Sequence, residues 1–337
     1  MSDSPVGLAE GSFGVARLRN SEGEFPAIVR PDGTVLDLST QYIDTHAVFA
    51  DWNQAFARLF DLAGSPAVTG EYASYRALPP LAHPNLMGAG QNFKTHTAQM
   101  LTKNKFNQHK RLPGETDEVF YARNLELMEE RSRTGVPFFW TGLHSSLAGA
   151  GDDLVLPLIG EQPDWELELC VVVGETRRFV CPEEADSAIA GYMIMNDIGT
   201  PDNFRRTDIH FGFDWIGKHQ PTFKIAGPFV VPKEFVDPAK VQIQLDLNGT
   251  RMQDWPAGDM IFSPQQFVTY ASERVNLMPG DHIFLGSAPG NGAHHNRFLR
   301  PGDIIDASLT GLGRQRNLCV AEDTNGRTPV YPSYPSD

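Results

Sequence analysis

"DWELELCVVVGE" occupies residues 164–175 and sets two glutamates, Glu166 and Glu168, into an otherwise apolar run. Read as a strand, residues two apart share a face. Glu166, Glu168, Cys170 and Val172 then point one way, while Trp165, Leu167, Leu169, Val171 and Val173 point the other way, into a core. Two carboxylates this close repel, and burial raises the cost of ionising both. Water, cationic side chains or a bound cation would relieve that cost. No Lys or Arg follows before Arg177, and a hard divalent cation favours clustered carboxylate oxygens. The segment "AGYMIMNDIGTPD" adds a third carboxylate, Asp197, directly after an apolar run. Together Glu166, Glu168 and Asp197 offer three oxygen donors from two elements and leave coordination positions for water and substrate. Spacing alone leaves a second reading open, a strand whose two glutamates face solvent.

The rest of the composition narrows the class. The chain has 337 residues, enough for one large domain or a large and a small one. Hydrophobic residues make up 41% and charged residues 21%, so a core forms without disulfides or structural metals. A formal net charge of −14 argues against a nucleic-acid partner. The three cysteines, Cys170, Cys181 and Cys319, form no paired spacing, which fits a reducing, cytoplasmic setting. No 18-residue apolar run is present, so no membrane-spanning helix is expected, and the first residues lack the pattern of a secretory signal.

Residues 1–83 read as a small α/β module: strands at "FGVARLR", "EFPAIVR" and "TVLDL", then a helix over "VFADWNQAFARLFDLAG" closed by Gly64. The proline-rich "ALPPLAHP" marks a boundary, and residues 84–337 form the second domain. "NLMGAGQNF" reads as a buried strand ending in a glycine turn. A polar, helix-prone excursion follows over about residues 100–136, lid-like or a surface decoration. Beyond Pro137 short strands dominate, interrupted by two helical patches, "CPEEADSAIAGYMIMN" and "SPQQFVTYASERV". The fold class expected is α+β, mainly β. The glycine-rich "GSAPGNGAHHNRF" lacks the context of a phosphate loop, and in an extended chain His294 and His295 would point to opposite faces.

Several blocks resemble the fumarylacetoacetate hydrolase family, in the family's order and over roughly residues 84–320: "GAGQNFKTHTAQM", "SSLAGAGDDLVLP", "DWELELCVVVG", "GYMIMND", "GKHQPTFKIAGP", "LNGTRMQD" with "DMIF", "LMPGDHIFLGSAPG" and "FLRPGDIIDASLTGLG". The resemblance implies a mixed β-roll catalytic domain, often a homodimer, acting on a small-molecule carboxylate, a 2-oxo or β-diketo acid. It implies a divalent metal, Mg2+ with Mn2+ or Ca2+ as alternatives, on Glu166, Glu168 and Asp197. It implies that His96 activates water or moves protons, and that Lys218 faces the substrate oxyanion. It places Phe93, Phe204, Thr222 and Ser287 toward the substrate.

The sequence departs from the family pattern in three places. The glutamate that commonly pairs with the histidine is Gln99, which orients an imidazole but does not balance its charge. The lysine that usually precedes the Ser-Ser-Leu block is missing, with Gly142 near its place. In "NDIGTPDNF" the family's arginine and glutamine fall on Pro201 and Phe204, so the metal end is kept while the substrate end has changed. Phe204, Trp140 and Phe139 suggest a more apolar substrate. The reaction expected is hydrolysis of a C–C bond in an acylpyruvate-like acid. The alternatives are a 2-oxo acid lyase (dehydratase, hydratase or decarboxylase), an isomerase, or a metal-stabilised binding protein without catalysis.

Overall fold

A computed structural model describes residues 4–103, 110–204, 206, 208–210 and 212–331. The fold is α+β and mainly β, built on three sheets. In the first, the strands Gly70–Glu71, Thr34–Asp37, Glu24–Val29, Gly14–Arg19 and Arg76–Leu78 lie side by side in that order, with helices Thr45–Phe49 and Trp52–Ala63 packed nearby. Gly64 does end that second helix, but in a right-handed conformation (φ −80°), so its lack of a side chain is not what the cap uses. In the third sheet the order is Thr250–Pro256, Gln242–Leu247, Ile304–Leu309, Arg314–Ala321 and Leu154–Leu156.

The middle sheet carries the site. Its order is Phe139–Gly142, Leu86–Ala89, His282–Phe284, Leu167–Val173, Ile189–Asp197, Lys224–Ala226 and Leu147–Gly149, with Val231–Pro232 paired to Ile189–Asp197. Both central strands are buried along their whole length. The face bearing Leu167, Leu169, Val171 and Val173 packs into the larger core. The opposite face is also covered over most of its length, with Glu166 at its end half-buried. Cys170 and Val172 pack with Val15, Ile28 and Trp52 of the first sheet and its helices. The reading of a strand with both glutamates facing solvent does not hold: Glu168 is buried and Glu166 half-buried, and N-terminal residues cover the Cys170–Val172 part of that face.

Two sequence expectations change. "CPEEADSAIAGYMIMN" is not a helix but a short 3-10 turn, Ala185–Ala188, and then the strand Ile189–Asp197. The segment has no polar stripe at helical spacing because both of its faces are covered, and a short apolar run does not distinguish the two elements. At Gly191 any side chain would collide with the carbonyl of Val231, which the strand pairing brings against it. The excursion is also more anchored than a free lid. Its helix Asp117–Thr134 buries Phe120, Asn124 and Met128 and packs on the helix Lys94–Thr102. Arg131 donates to the Gln91 carbonyl at 2.6 Å. The excursion's residues 104–109 lie outside the described ones. The helix expected at "SPQQFVTYASERV" is present as Pro264–Ser272, started by a reciprocal cap between Ser263 and Gln266.

Candidate metal centre and active site

Strand register assembles the acidic cluster. Leu167 pairs with Asn196 and Glu168 with Met195. The Asp197 N–H donates to the Glu166 carbonyl at 2.8 Å, which carries the ladder one step further. Asp197 in turn pairs with Lys224 on the next strand. Glu166, Asp197 and Lys224 thus form a row across three strands, with Glu168 two residues from Glu166 on the same face. One oxygen from each of Glu166, Glu168 and Asp197 lies within 4.8 Å of the others. Glu168 and Asp197 are each 1% exposed, whereas the Glu166 side chain retains 27% exposure.

Lys218 enters from a 3-10 turn, Trp215–Lys218. Its Nζ lies 2.6 Å from Glu166 Oε2 and 2.7 Å from Asp197 Oδ2. Lys224, fully buried, lies 2.7 Å from Asp197 Oδ1. That second contact is an ion pair, and among the described residues Asp197 Oδ1 has no aligned hydrogen bond. Burial pulls the Lys218 pKa down, but Asp197 and Glu166 outweigh it and hold the amine above its ordinary value. Burial alone would raise Asp197, yet Lys218 and Lys224 together bring it below the usual carboxylate range. Glu166 is raised by burial and by Asp197, against the pull of Lys218.

Glu168 is the unsatisfied member. Burial, then the charges of Asp197 and Glu166, push it well above the ordinary carboxylate range. The Gly286 N–H donates to its Oε2 at 2.6 Å, and among the described residues it has no ion-pair partner. Gly286 has φ +91°, and an added Cβ there would sit 3.1 Å from Asn92 Cβ. Glycine is needed to deliver that amide. These residues fit a divalent cation: two ammonium groups against three carboxylates leave one negative charge, centred on a buried glutamate. Such a group is costly to ionise without a cation beside it.

The other predicted residues fall in distinct places. His96 lies in the first turn of the helix Lys94–Thr102, with Gln99 three residues on along the same side. Gln99 Oε1 is buried with no hydrogen-bond partner among the described residues. In the turn before this helix Asn92 donates to the carbonyl of Leu285, the residue before Gly286, at 2.8 Å. Of the acids in the excursion, Glu129 pairs with Lys94 at 3.1 Å. Phe93 is 1% exposed and packs in the larger core. Ser287 is 8% exposed and donates to the Ala288 carbonyl at 3.1 Å. Thr222 Oγ1 receives the Val155 N–H at 2.8 Å, so its hydroxyl already serves the fold.

Phe204 does stand beside the cluster, its ring centroid 5.9 Å from Lys218 Nζ. It stacks on Trp215 at 5.6 Å, and Trp215 stacks on Trp140 at 6.0 Å. Trp140 lies 4.9 Å from Lys218 Nζ. Phe139 does not join them. As its neighbour on the strand it takes the opposite face and packs edge-on to Phe267 at 5.1 Å. The glycine-rich loop is no phosphate cradle, because its Gly292 and Ala293 amides donate to Asp164. Burial, together with Glu166, lifts Asp164 to about 7 despite those amides. His294 and His295 lie on a short helical turn, Gly292–His295, with ring centroids 4.9 Å apart, rather than on opposite faces of an extended chain. Sequence reasoning missed Lys224, since a lone lysine in "PTFKIAGP" reads as a surface residue until the strand register buries it.

Comparison with known proteins identifies the family and the fold. The family model described as Fumarylacetoacetate (FAA) hydrolase C-terminal matches residues 85–320. The chain is 32% identical over 300 residues to a 2,4-didehydro-3-deoxy-L-rhamnonate hydrolase of Sphingomonas sp. (strain SKA58), covering 87% of this chain and 91% of that protein. Two solved structures share the fold. A fumarylacetoacetate hydrolase from Exiguobacterium antarcticum superposes with TM-score 0.68 at 24% identity, over 92% of this chain and 100% of that one. A maleylpyruvate hydrolase from Sphingobium sp. SYK-6, solved with manganese(II) and pyruvate, superposes with TM-score 0.70 at 19% identity, over 92% and 100%. By the family model, the relative and the site, this chain belongs to the fumarylacetoacetate hydrolase family.

Proposed function

We propose that this protein is a divalent-metal-dependent hydrolase that cleaves a carbon–carbon bond in a β-diketo or 2-oxo acid of the acylpyruvate kind. The observation that carries the reading is the buried carboxylate Glu168, without an ion pair among the described residues, grouped with Glu166 and Asp197 beside Lys218. The hydrolases among the relatives support it, one of them solved with manganese and pyruvate.

Glu166, Glu168 and Asp197 would hold a divalent cation, Mg2+ expected with Mn2+ or Ca2+ as alternatives, which would supply Lewis acidity toward the substrate. Lys218 sets a fixed positive charge beside them, where negative charge develops as the bond breaks. His96 takes a proton from the attacking water, and Gln99 orients its imidazole. The water oxygen bonds to the acyl carbon. The electron pair of the broken C–C bond leaves on the carbon next to the 2-oxo group, which is then protonated. The products are a carboxylic acid and a shorter 2-oxo acid. Phe204, stacked with Trp215, offers an apolar face to the substituent carried on the acyl side. Ser287 and Thr222 shape the surrounding wall. The protein acts as a cytoplasmic homodimer on a small-molecule carboxylate.

The second reading is a lyase or isomerase on the same scaffold. Gln99 favours it, since hydrolysis gains more from a carboxylate partner for imidazolium. The test is incubation of purified protein and Mg2+ with acylpyruvates, oxaloacetate and 3-deoxy-2-oxo sugar acids. Loss of diketone absorbance with release of two acids supports hydrolysis. Release of CO2 or water, or a shift of absorbance with no cleavage, supports the second reading. Inertness across the panel overturns both.

A further inference from the structure

Lys224 is 0% exposed, so its amine is held wholly out of water. Taking an ammonium out of water is strongly unfavourable unless oxygens replace the water. Here they do. Its Nζ lies 2.7 Å from Asp197 Oδ1 and donates to the carbonyls of Lys218 at 2.8 Å, Ile198 at 3.2 Å and Phe223 at 3.3 Å. Two of these carbonyls belong to the backbone that presents the site. Ile198 follows Asp197 directly, and Lys218 is the residue whose own amine reaches Glu166 and Asp197. The strand pairing Asp197–Lys224 fixes the side chain's starting point, and Leu147 flanks it on the other strand.

We propose that Lys224 is a positioning residue: a buried ammonium, paired with Asp197, that would share Asp197 with a bound metal and ties the backbone of Asp197 to that of Lys218. This rests on the metal reading given above. Charge counting gives the consequence. Three carboxylates and two lysines sum to −1, a divalent cation brings the site to +1, and a carboxylate substrate brings it to zero. Without Lys224 the metal meets one more uncompensated negative charge, and the anionic substrate meets a site one charge poorer. Lys224 thus gives up metal affinity in return for affinity toward an anionic ligand. A residue that only filled space would lack this opposed signature.

The test uses Lys224→Met, which keeps length and bulk but removes the charge, with folding checked by circular dichroism. Mn2+ binding is measured by electron paramagnetic resonance titration of the full chain. Oxalate binding to the Mn2+-loaded protein is measured by calorimetry, with no turnover involved. The expected result is Mn2+ affinity raised about tenfold or more and oxalate affinity lowered about tenfold or more. Unchanged affinities, or a loss of both together, overturn the proposal. Should the methionine variant not fold, Lys224→Gln is read by the same two measurements and the same outcomes. Wild-type protein that binds no Mn2+ overturns the metal reading itself, and this proposal with it. Wild-type binding with an indifferent variant overturns the role of Lys224 alone.

Discussion

Lys218 touches two of the three carboxylates from a separate element, so its amine both neutralises them and faces the space next to them. Lys218→Met is expected to cost about a hundredfold or more in kcat, the scale for losing one charge-stabilising group. In metal-free protein it also leaves a buried aspartate short of a partner, at a cost of roughly 3 kcal/mol in denaturant unfolding. An unchanged kcat would remove Lys218 from the chemistry. Phe204 gives a second test at this scale. A stacked aromatic contact contributes about 0.5–1.5 kcal/mol. Phe204→Gln is therefore expected to narrow the preference for aryl-substituted over methyl-substituted acylpyruvates by about three- to tenfold in kcat/KM. An unaltered preference places the substituent elsewhere. Both side chains were legible in the sequence through the resemblance. Lys224 was not, because nothing in "PTFKIAGP" shows that its neighbour across the sheet is an aspartate.

At the scale of elements, the strand carrying Glu168 meets the short strand His282–Phe284 and the turn after it. Gly286 holds Glu168 from that turn at a positive φ. Gly286→Ala is expected to weaken Mn2+ binding and to lower stability by about 1–3 kcal/mol, read by titration and by urea unfolding. Retained affinity would separate that amide from the metal. On the same strand His282 is fully buried, and burial outweighs the neighbouring Asp281 and Gly280 carbonyls to bring it from 6.5 down to about 3. The unfolded chain thus takes up this proton at a pH where the folded chain does not. Its contribution to stability is complete above pH 6.5 and is lost as pH falls toward 3, by about 1.4 kcal/mol per pH unit. His282→Leu should flatten the slope of stability between pH 6 and 4 (roughly the window of this linkage). An unchanged slope would assign the effect to other groups. The strand Ile189–Asp197 shows where sequence reading failed. Its apolar residues are continuous because both faces are covered, and continuity carries no period. The short strands bounded by glycine and proline were readable, since turn residues punctuate them.

Across the whole molecule, the N-terminal stretch packs on the sheet that carries the site. Val15 and Val230 exchange both backbone hydrogen bonds, at 2.8 and 2.9 Å. Val15, Ile28 and Trp52 pack against Cys170 and Val172, the residues that continue the face of Glu168. The boundary expected at residues 77–84 rests on a proline-rich change of composition alone, which says nothing of how the two sides pack. A chain lacking residues 1–83 is expected to be insoluble or to unfold at lower urea than the full chain, with Cys170 open to thiol reagents. A stable, fully active fragment would contradict the shared core. No helix among the described residues is long and apolar enough to cross a membrane.

The central claim is that Glu166, Glu168 and Asp197 jointly hold a divalent cation. It is tested most directly by titrating Mn2+ into metal-stripped wild-type protein and Glu168→Gln protein, followed by electron paramagnetic resonance. The structure predicts one tight site per chain in the wild type and its loss, or about a hundredfold weakening, in the variant. Equal binding by the two proteins, or none by the wild type, would contradict it.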